Sequence, residues 1–193
     1  NATTQYNLYN EDLDMGTNWV GYHAGETEKP YNCGSCHTTA YSPEGNQDGL
    51  PGLIGTWTEP GVRCEECHGP GGNHANDPML VKMVVDRDAA LCGRCHIRGD
   101  VTEINASGGF IRHHEQYEEM FESKKRLMDC VDCHDPHATV KYAKGLAIKT
   151  PCENCHFENE SYQKIDNRNH AECVDCHMPR VSKNALGDAE RFT

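Results

Sequence analysis

Every cysteine of this chain belongs to a Cys-x-x-Cys pair, and a histidine directly follows the second cysteine of each pair. The six sets are Cys33, Cys36 and His37; Cys64, Cys67 and His68; Cys92, Cys95 and His96; Cys130, Cys133 and His134; Cys152, Cys155 and His156; and Cys173, Cys176 and His177. Disulfides, zinc ribbons and dithiol redox pairs all use this cysteine spacing, but none of them requires the histidine. With 12 histidines in 193 residues, six such placements by chance have a probability on the order of 10⁻⁷. The spacing is that of covalent haem c attachment. Two thiols two residues apart add to the two vinyl groups of one porphyrin, and the adjacent imidazole lies under the iron as proximal ligand. Six haems c use all twelve thiols and leave none for disulfides.

Composition agrees. The chain is 36% hydrophobic and 7% aromatic with a mean hydropathy of −0.78, and its 18 Gly and 9 Pro interrupt any long helical or strand pattern. Such a chain buries too little apolar surface to offset its ordering entropy unless a prosthetic core replaces it. The first cysteines of successive motifs are 31, 28, 38, 22 and 21 residues apart, which leaves no room for a haem-free domain. The expected fold is therefore a single hexahaem domain over 1–193, mostly coil with a few short helices wrapped around a chain of haems, and with little or no sheet. No apolar run reaches the length of a membrane span, and Asn1 opens no signal peptide, so the numbering reads as that of a mature, processed chain. A formal charge of −12 excludes nucleic-acid binding by phosphate neutralisation and favours cationic or mineral partners. Haem attachment to thiols takes place outside the cytoplasm in prokaryotes, which places the protein there.

Six histidines remain for six sixth ligands: His23, His74, His113, His114, His137 and His170. The equality favours bis-His coordination throughout, which gives low potentials and no vacancy for a substrate. The alternatives are an open site or a Met ligand, with Met15, Met79, Met83, Met120, Met128 and Met178 available. Two imidazoles bonded at about 2 Å to opposite faces of one iron place their Cα atoms roughly 12 Å apart, beyond the ~11 Å reach of three extended residues. His137, three residues after His134, must therefore serve a different haem. The adjacent His113 and His114 diverge by about 100° on a helix or face opposite sides of a strand, so they also serve two haems. Spacing settles nothing for His74 and His170.

Two helices are expected. Asp77-Pro78 opens one, with Met79, Leu80, Met83, Val84 and Leu91 on a 3.6-residue period running into Cys92. The other spans about 111–128, with His113 or His114, Tyr117, Met120, Phe121 and Leu127 on one face. Residues 43–61 read as turn and loop. Asn1, Asn105 and Asn159 open N-glycosylation sequons, weak signals of exposure. The acidic residues form no EF-hand-like calcium loop.

The segment from Lys29-Pro-Tyr-Asn-Cys33 to Tyr41, followed by Gly55-Thr-Trp-Thr-Glu-Pro-Gly-Val-Arg-Cys64 to Gly-Pro-Gly-Gly-Asn-His74, resembles a block of multihaem cytochromes c. That block occurs among the outer-surface cytochromes of metal-respiring prokaryotes, including filament-forming members. His113-His-Glu-Gln-Tyr-Glu-Glu-Met120 with Cys130-Val-Asp-Cys-His-Asp-Pro-His137 resembles a second block. In related sequences a further histidine often precedes that segment, where this chain has Ser123-Lys-Lys-Arg126. The resemblance implies mostly bis-His haems in alternating parallel-stacked and T-shaped pairs, and electron transport at the cell surface. The leading reading is a non-enzymatic electron conduit that polymerises head to tail with copies of itself and exchanges electrons with redox partner proteins or metal oxides. Residues 1–29 lie at the subunit interface in that reading, with His23 ligating a haem of its own or of the neighbouring subunit. A soluble periplasmic shuttle is the runner-up. A multihaem reductase of nitrite, hydroxylamine or a sulfur oxyanion is the third, disfavoured because no Cys-x-x-Cys-Lys occurs and ligands suffice for every iron.

Overall fold

In the computed structural model of the chain, residues 4–7, 17–21, 26–97, 106–107, 110–111, 116–138 and 147–156 are described, together with Cys173 and Met178. Short helices and two-stranded antiparallel sheets are joined by turns, as a chain this rich in Gly and Pro dictates. The chain divides between Asp86 and Arg87 into two compact units.

The first unit opens with a hairpin of β1 (Thr4–Asn7) and β2 (Asn18–Gly21), in which Tyr6 stands opposite Trp19. Their rings meet edge to face at 5.4 Å, and Trp19 is 71% exposed. Then follow α1 (Gly34–His37), β3 (Thr38–Thr39), β4 (Ser42–Asn46), a 3₁₀ turn (Gln47–Gly49), β5 (Ile54–Thr56), β6 (Glu59–Pro60), α2 (Cys64–His68) and α3 (Gly72–Asn76). The loop expected over 43–61 is thus partly sheet, since β4 pairs with β5 and β3 with β6. Pattern misses these strands because side chains fix them: Asn46 Nδ2 donates to the Leu53 carbonyl at 3.0 Å, and the Trp57 amide donates to Gln47 Oε1 at 2.9 Å.

The nearest thing to a core in this unit is aromatic. The Tyr41 ring lies so close to Gly34 that a Cβ there would come within 2.6 Å of it, and it presses on Gly55 as well. The Tyr31 and Trp57 rings meet at 5.9 Å, tilted by 56° to each other. Beneath them, buried Thr38 and Thr39 donate their hydroxyls to the carbonyls of Gly34 and Gly61 at 2.6 and 2.7 Å. Gly34→Ala is expected to cost about 1–3 kcal/mol by overpacking. Chemical denaturation measures it, and the cost should shrink in a Tyr41→Leu background, because the ring is what the new methyl meets.

The second unit contains α4 (Ala89–Gly93), the small pair β7 (Ala106–Ser107) and β8 (Phe110–Ile111), α5 (Gln116–Glu122), α6 (Cys130–Cys133) and a 3₁₀ turn (Cys152–Asn154). Both helix expectations need correction. Residues 78–91 do not form one helix. A single turn closes on Asp77, whose carbonyl accepts from the Val81 amide at 3.0 Å, and residues 82–88 are non-helical until Asp88 caps α4 through the Ala90 amide at 2.8 Å. The β-branched Val81, Val84 and Val85 disfavour a helix, and two of their carbonyls have other partners, described below. The second helix ends at Glu122, not near 128. Ser123 Oγ bonds the Met120 carbonyl at 2.8 Å and accepts from the Lys125 amide at 3.0 Å, giving the backbone an alternative to another turn. The fold class read from the sequence holds: mostly coil, few short helices, little sheet.

Candidate haem sites

Each of the five fully described motifs is one helical turn. The amide of the motif histidine donates to the carbonyl of the first cysteine in four of them, at 3.1 Å for His37 and 2.9 Å for His96, His134 and His156, and the fifth is α2 itself. On such a turn positions i, i+3 and i+4 share a face. Both thiols and the imidazole therefore leave on one side, as attachment to one porphyrin edge with an axial ligand beneath requires. All eleven described cysteines are free thiols, and among the described residues no three His, Cys, Asp or Glu side chains converge on a metal-sized point. The residues fit a covalent haem at each turn.

The variable positions hold the turns in place. Gly34 and Gly93 are glycine because a tyrosine ring covers the turn: at Gly93 a Cβ would meet Tyr117 at 2.6 Å, as at Gly34 it would meet Tyr41. In the second motif Glu65 accepts from the Gly71 amide at 2.6 Å and Glu66 from the Ala40 amide at 2.9 Å. In the fourth, Asp132 accepts from the Asp129 amide at 3.0 Å and its carbonyl from the Thr150 hydroxyl at 2.6 Å, while Asp129 accepts from the Ala89 amide at 2.9 Å. The motif alone gives no sign of these roles.

The histidines are placed as follows. His68 Nδ1 lies 2.6 Å from the Val84 carbonyl and His74 Nδ1 2.7 Å from that of Val81. His96 Nδ1 faces Gln116 Oε1 at 3.4 Å. His134 is half-buried; burial, with His96 nearby as the smaller cause, pushes its imidazole below the ordinary range, toward the neutral form a ligand needs. His137 is 78% exposed, its ring 3.7 Å from Asp135, and His37 and His156 are exposed. His23, His113, His114, His170, Cys176, His177 and the three sequon asparagines lie outside the described residues.

In the second unit the motifs lie close to one another. The Cys92 and Cys130 thiols are hydrogen-bonded across two motifs, and that bond lowers the Cys130 thiol to about 7. Burial, then the neighbouring Cys173, pushes the Cys152 thiol up, with Cys133 also close by. Cys173 Sγ lies 3.9 Å from Glu153 Oε1. Third to fourth, and fourth to fifth to sixth, the attachment points are neighbours in space.

Helical turns of paired free thiols with a following histidine are the attachment geometry used by c-type cytochromes. Residues 19–97 match the family model of cytochrome c7 and related cytochrome c. In its motifs and in this match over part of its length, the chain is similar to multihaem c-type cytochromes. It is 25% identical over 172 residues to the multihaem cytochrome MtrA of Shewanella baltica, a match covering 78% of this chain and 46% of that protein. It is 26% identical over 162 residues to the dissimilatory sulfite reductase MccA of Wolinella succinogenes, covering 62% and 22%. The chain thus spans less than half the length of these relatives. Among solved structures, the outer cell wall cytochrome OcwA matches 44% of this chain and 18% of its own at 35% identity and a TM-score of 0.31. The undecahaem cytochrome from the S-layer of Carboxydothermus ferrireducens matches 85% and 39% at 21% identity and a TM-score of 0.47. Among the described residues no helix is long and apolar enough to cross a membrane.

Proposed function

We propose that the chain holds six haems c, conducts electrons along them, and is a subunit of a head-to-tail cytochrome filament outside the cell. The observation that carries the conduit is the closeness of attachment turns: the Cys92 and Cys130 thiols are hydrogen-bonded, and Cys152 lies within electrostatic reach of Cys133 and Cys173. When bound, each haem supplies a one-electron ferric/ferrous couple. What the chain contributes is spacing: turns that lie close together hold their cofactors as neighbours. Cys33, Cys36, Cys64, Cys67, Cys92, Cys95, Cys130, Cys133, Cys152, Cys155, Cys173 and Cys176 anchor them, the six motif histidines are proximal ligands, and His23, His74, His113, His114, His137 and His170 are the sixth ligands.

The filament rests on the N-terminal segment and on the resemblance to surface cytochromes. A terminus stays poorly ordered unless something ties it down. The hairpin that precedes His23 presents the exposed pair Tyr6 and Trp19, the kind of aromatic surface that interfaces use. An axial ligand given by one subunit to the next joins chains head to tail, and a contact whose rotation does not close makes an open polymer. In His23→Ala, loss of filaments by negative-stain microscopy, with five haems per subunit still low-spin, is the expected result. Intact filaments with one high-spin haem per subunit would refute cross-subunit ligation.

The similarity to a sulfite reductase favours one second reading, a multihaem reductase of a sulfur oxyanion. Such a site needs an iron with an open position. A high-spin signal in the paramagnetic resonance spectrum of the oxidised, unmodified protein decides for it.

A further inference from the structure

The segment 79–85 is the place where the sequence pattern and the structure disagree most. It carries a helical apolar period but is not helical, and its apolar side chains face solvent: Met79 is 78% exposed, Leu80 82%, Val84 63% and Val85 73%. Its backbone is nonetheless fixed. Two carbonyls three residues apart bind two imidazoles, Val84 to His68 and Val81 to His74, at 2.6 and 2.7 Å. Met83 packs against Gly71, whose amide is bonded to Glu65 of the attachment turn, so the segment is held beside α2 and α3.

A carbonyl only accepts, so in both pairs the ring nitrogen donates. Nδ1 carries the proton in each neutral ring and the lone pair falls to Nε2. A ligating histidine whose other ring nitrogen is bonded to a carbonyl has its tautomer and plane fixed, and its imidazole becomes a stronger donor to metal. His68 is a proximal residue by its motif. The same arrangement at His74 marks it as a ligand rather than a surface histidine.

The spacing says more. If two imidazoles bound opposite faces of one iron through Nε2, the carbonyls accepting from their Nδ1 atoms would stand about 12 Å or more apart. Carbonyl oxygens three residues apart are separated by at most about 11 Å in a fully extended chain.

We propose that residues 81–84 are a positioning segment for two axial ligands, the Val84 and Val81 carbonyls turning His68 and His74 to present Nε2 to two different irons. The proposal rests on the haem reading above, and it adds that His74 serves an iron other than the one at Cys64 and Cys67. The exposed side chains of 79–85 then line the macrocycles that those irons carry.

Replacing the Val84–Val85 amide, and separately the Val81–Lys82 amide, by an ester weakens one acceptor carbonyl at a time and leaves every side chain in place. In the haem-loaded chain each ester is expected to raise the potential of one haem, a different haem in the two variants, with all haems still low-spin. A merely structural role for the segment moves no potential selectively. No shift from either ester overturns the positioning role, and a shift of the same haem by both overturns the two-iron assignment. Haem count by intact mass is read separately, so failure of the haem reading is not confused with failure of this one. If the esters cannot be recovered, His74→Ala is compared with and without Cys64→Ser and Cys67→Ser. The new high-spin signal should persist when the haem at Cys64 and Cys67 is removed. Its disappearance would place both histidines on one iron.

Discussion

A chain produced where haem cannot be attached is expected to show no cooperative unfolding transition, by heat or by denaturant. Among the described residues only Ala89 and Ala147 are buried hydrophobic side chains. The larger apolar groups are on the outside, with Leu127 94% exposed and most of the 79–85 segment nearly as open. Helices of four to seven residues do not stand alone in water, and isolated two-stranded sheets are marginal. The buried polar contacts at Thr38 and Thr39 are well made but offset only their own desolvation. Nearly all of the stability must therefore come from the cofactors, an effect as large as the whole folding free energy, roughly 5–15 kcal/mol for ordinary domains. Circular dichroism of the apo chain against denaturant checks this. A sharp sigmoidal transition would show that the polypeptide has a core of its own.

His137→Ala is expected to convert one haem from low-spin to high-spin, and that haem is not the one anchored by Cys130 and Cys133. The chain is too short between His134 and His137 for both to reach opposite faces of one iron. The two side chains are also placed differently: His134 is half-buried with His96 nearby, and His137 is exposed on a turn whose amide is bonded to Asp135 at 2.9 Å. Paramagnetic resonance detects the spin change. Repeating the measurement with Cys130→Ser and Cys133→Ser identifies the haem, since the high-spin signal should survive that removal. An unchanged spectrum in His137→Ala would make His137 a surface residue.

The attachment chemistry was legible because it depends on residue identity at fixed spacing, and one helical turn realises that spacing at every described motif. The general fold was legible too, because Gly, Pro and a shortage of apolar residues leave few alternatives. What pattern misread was 78–91. Periodicity assumes that apolar side chains seek a protein core, and here they have none to seek; the backbone there is committed to histidine rings instead. The strands within 43–61 escaped for a related reason, since Asn46 and Gln47 side chains fix the hairpin without any apolar alternation. The carbonyl partners of His68 and His74 could not have been found at all, because a main-chain carbonyl leaves no mark in the sequence. The glycines of the first and third motifs did carry a signal, but only the positions of Tyr41 and Tyr117 give it meaning.

The closure of each attachment turn within five residues has a consequence for biosynthesis. A structure whose contacts are that local costs little loop-closure entropy and forms fast. Each turn samples its attachment geometry, without being stable alone, as soon as its own stretch of chain is made, before any distant residue arrives, and attachment of the haem then fixes it. The order of haem loading is therefore expected to follow emergence of the chain and not a folding hierarchy. The slow events are then the long-range ones, the recruitment of sixth ligands from elsewhere in sequence. A half-made molecule with some cofactors attached and their far ligands still missing is the intermediate that a maturation pathway for this protein has to tolerate.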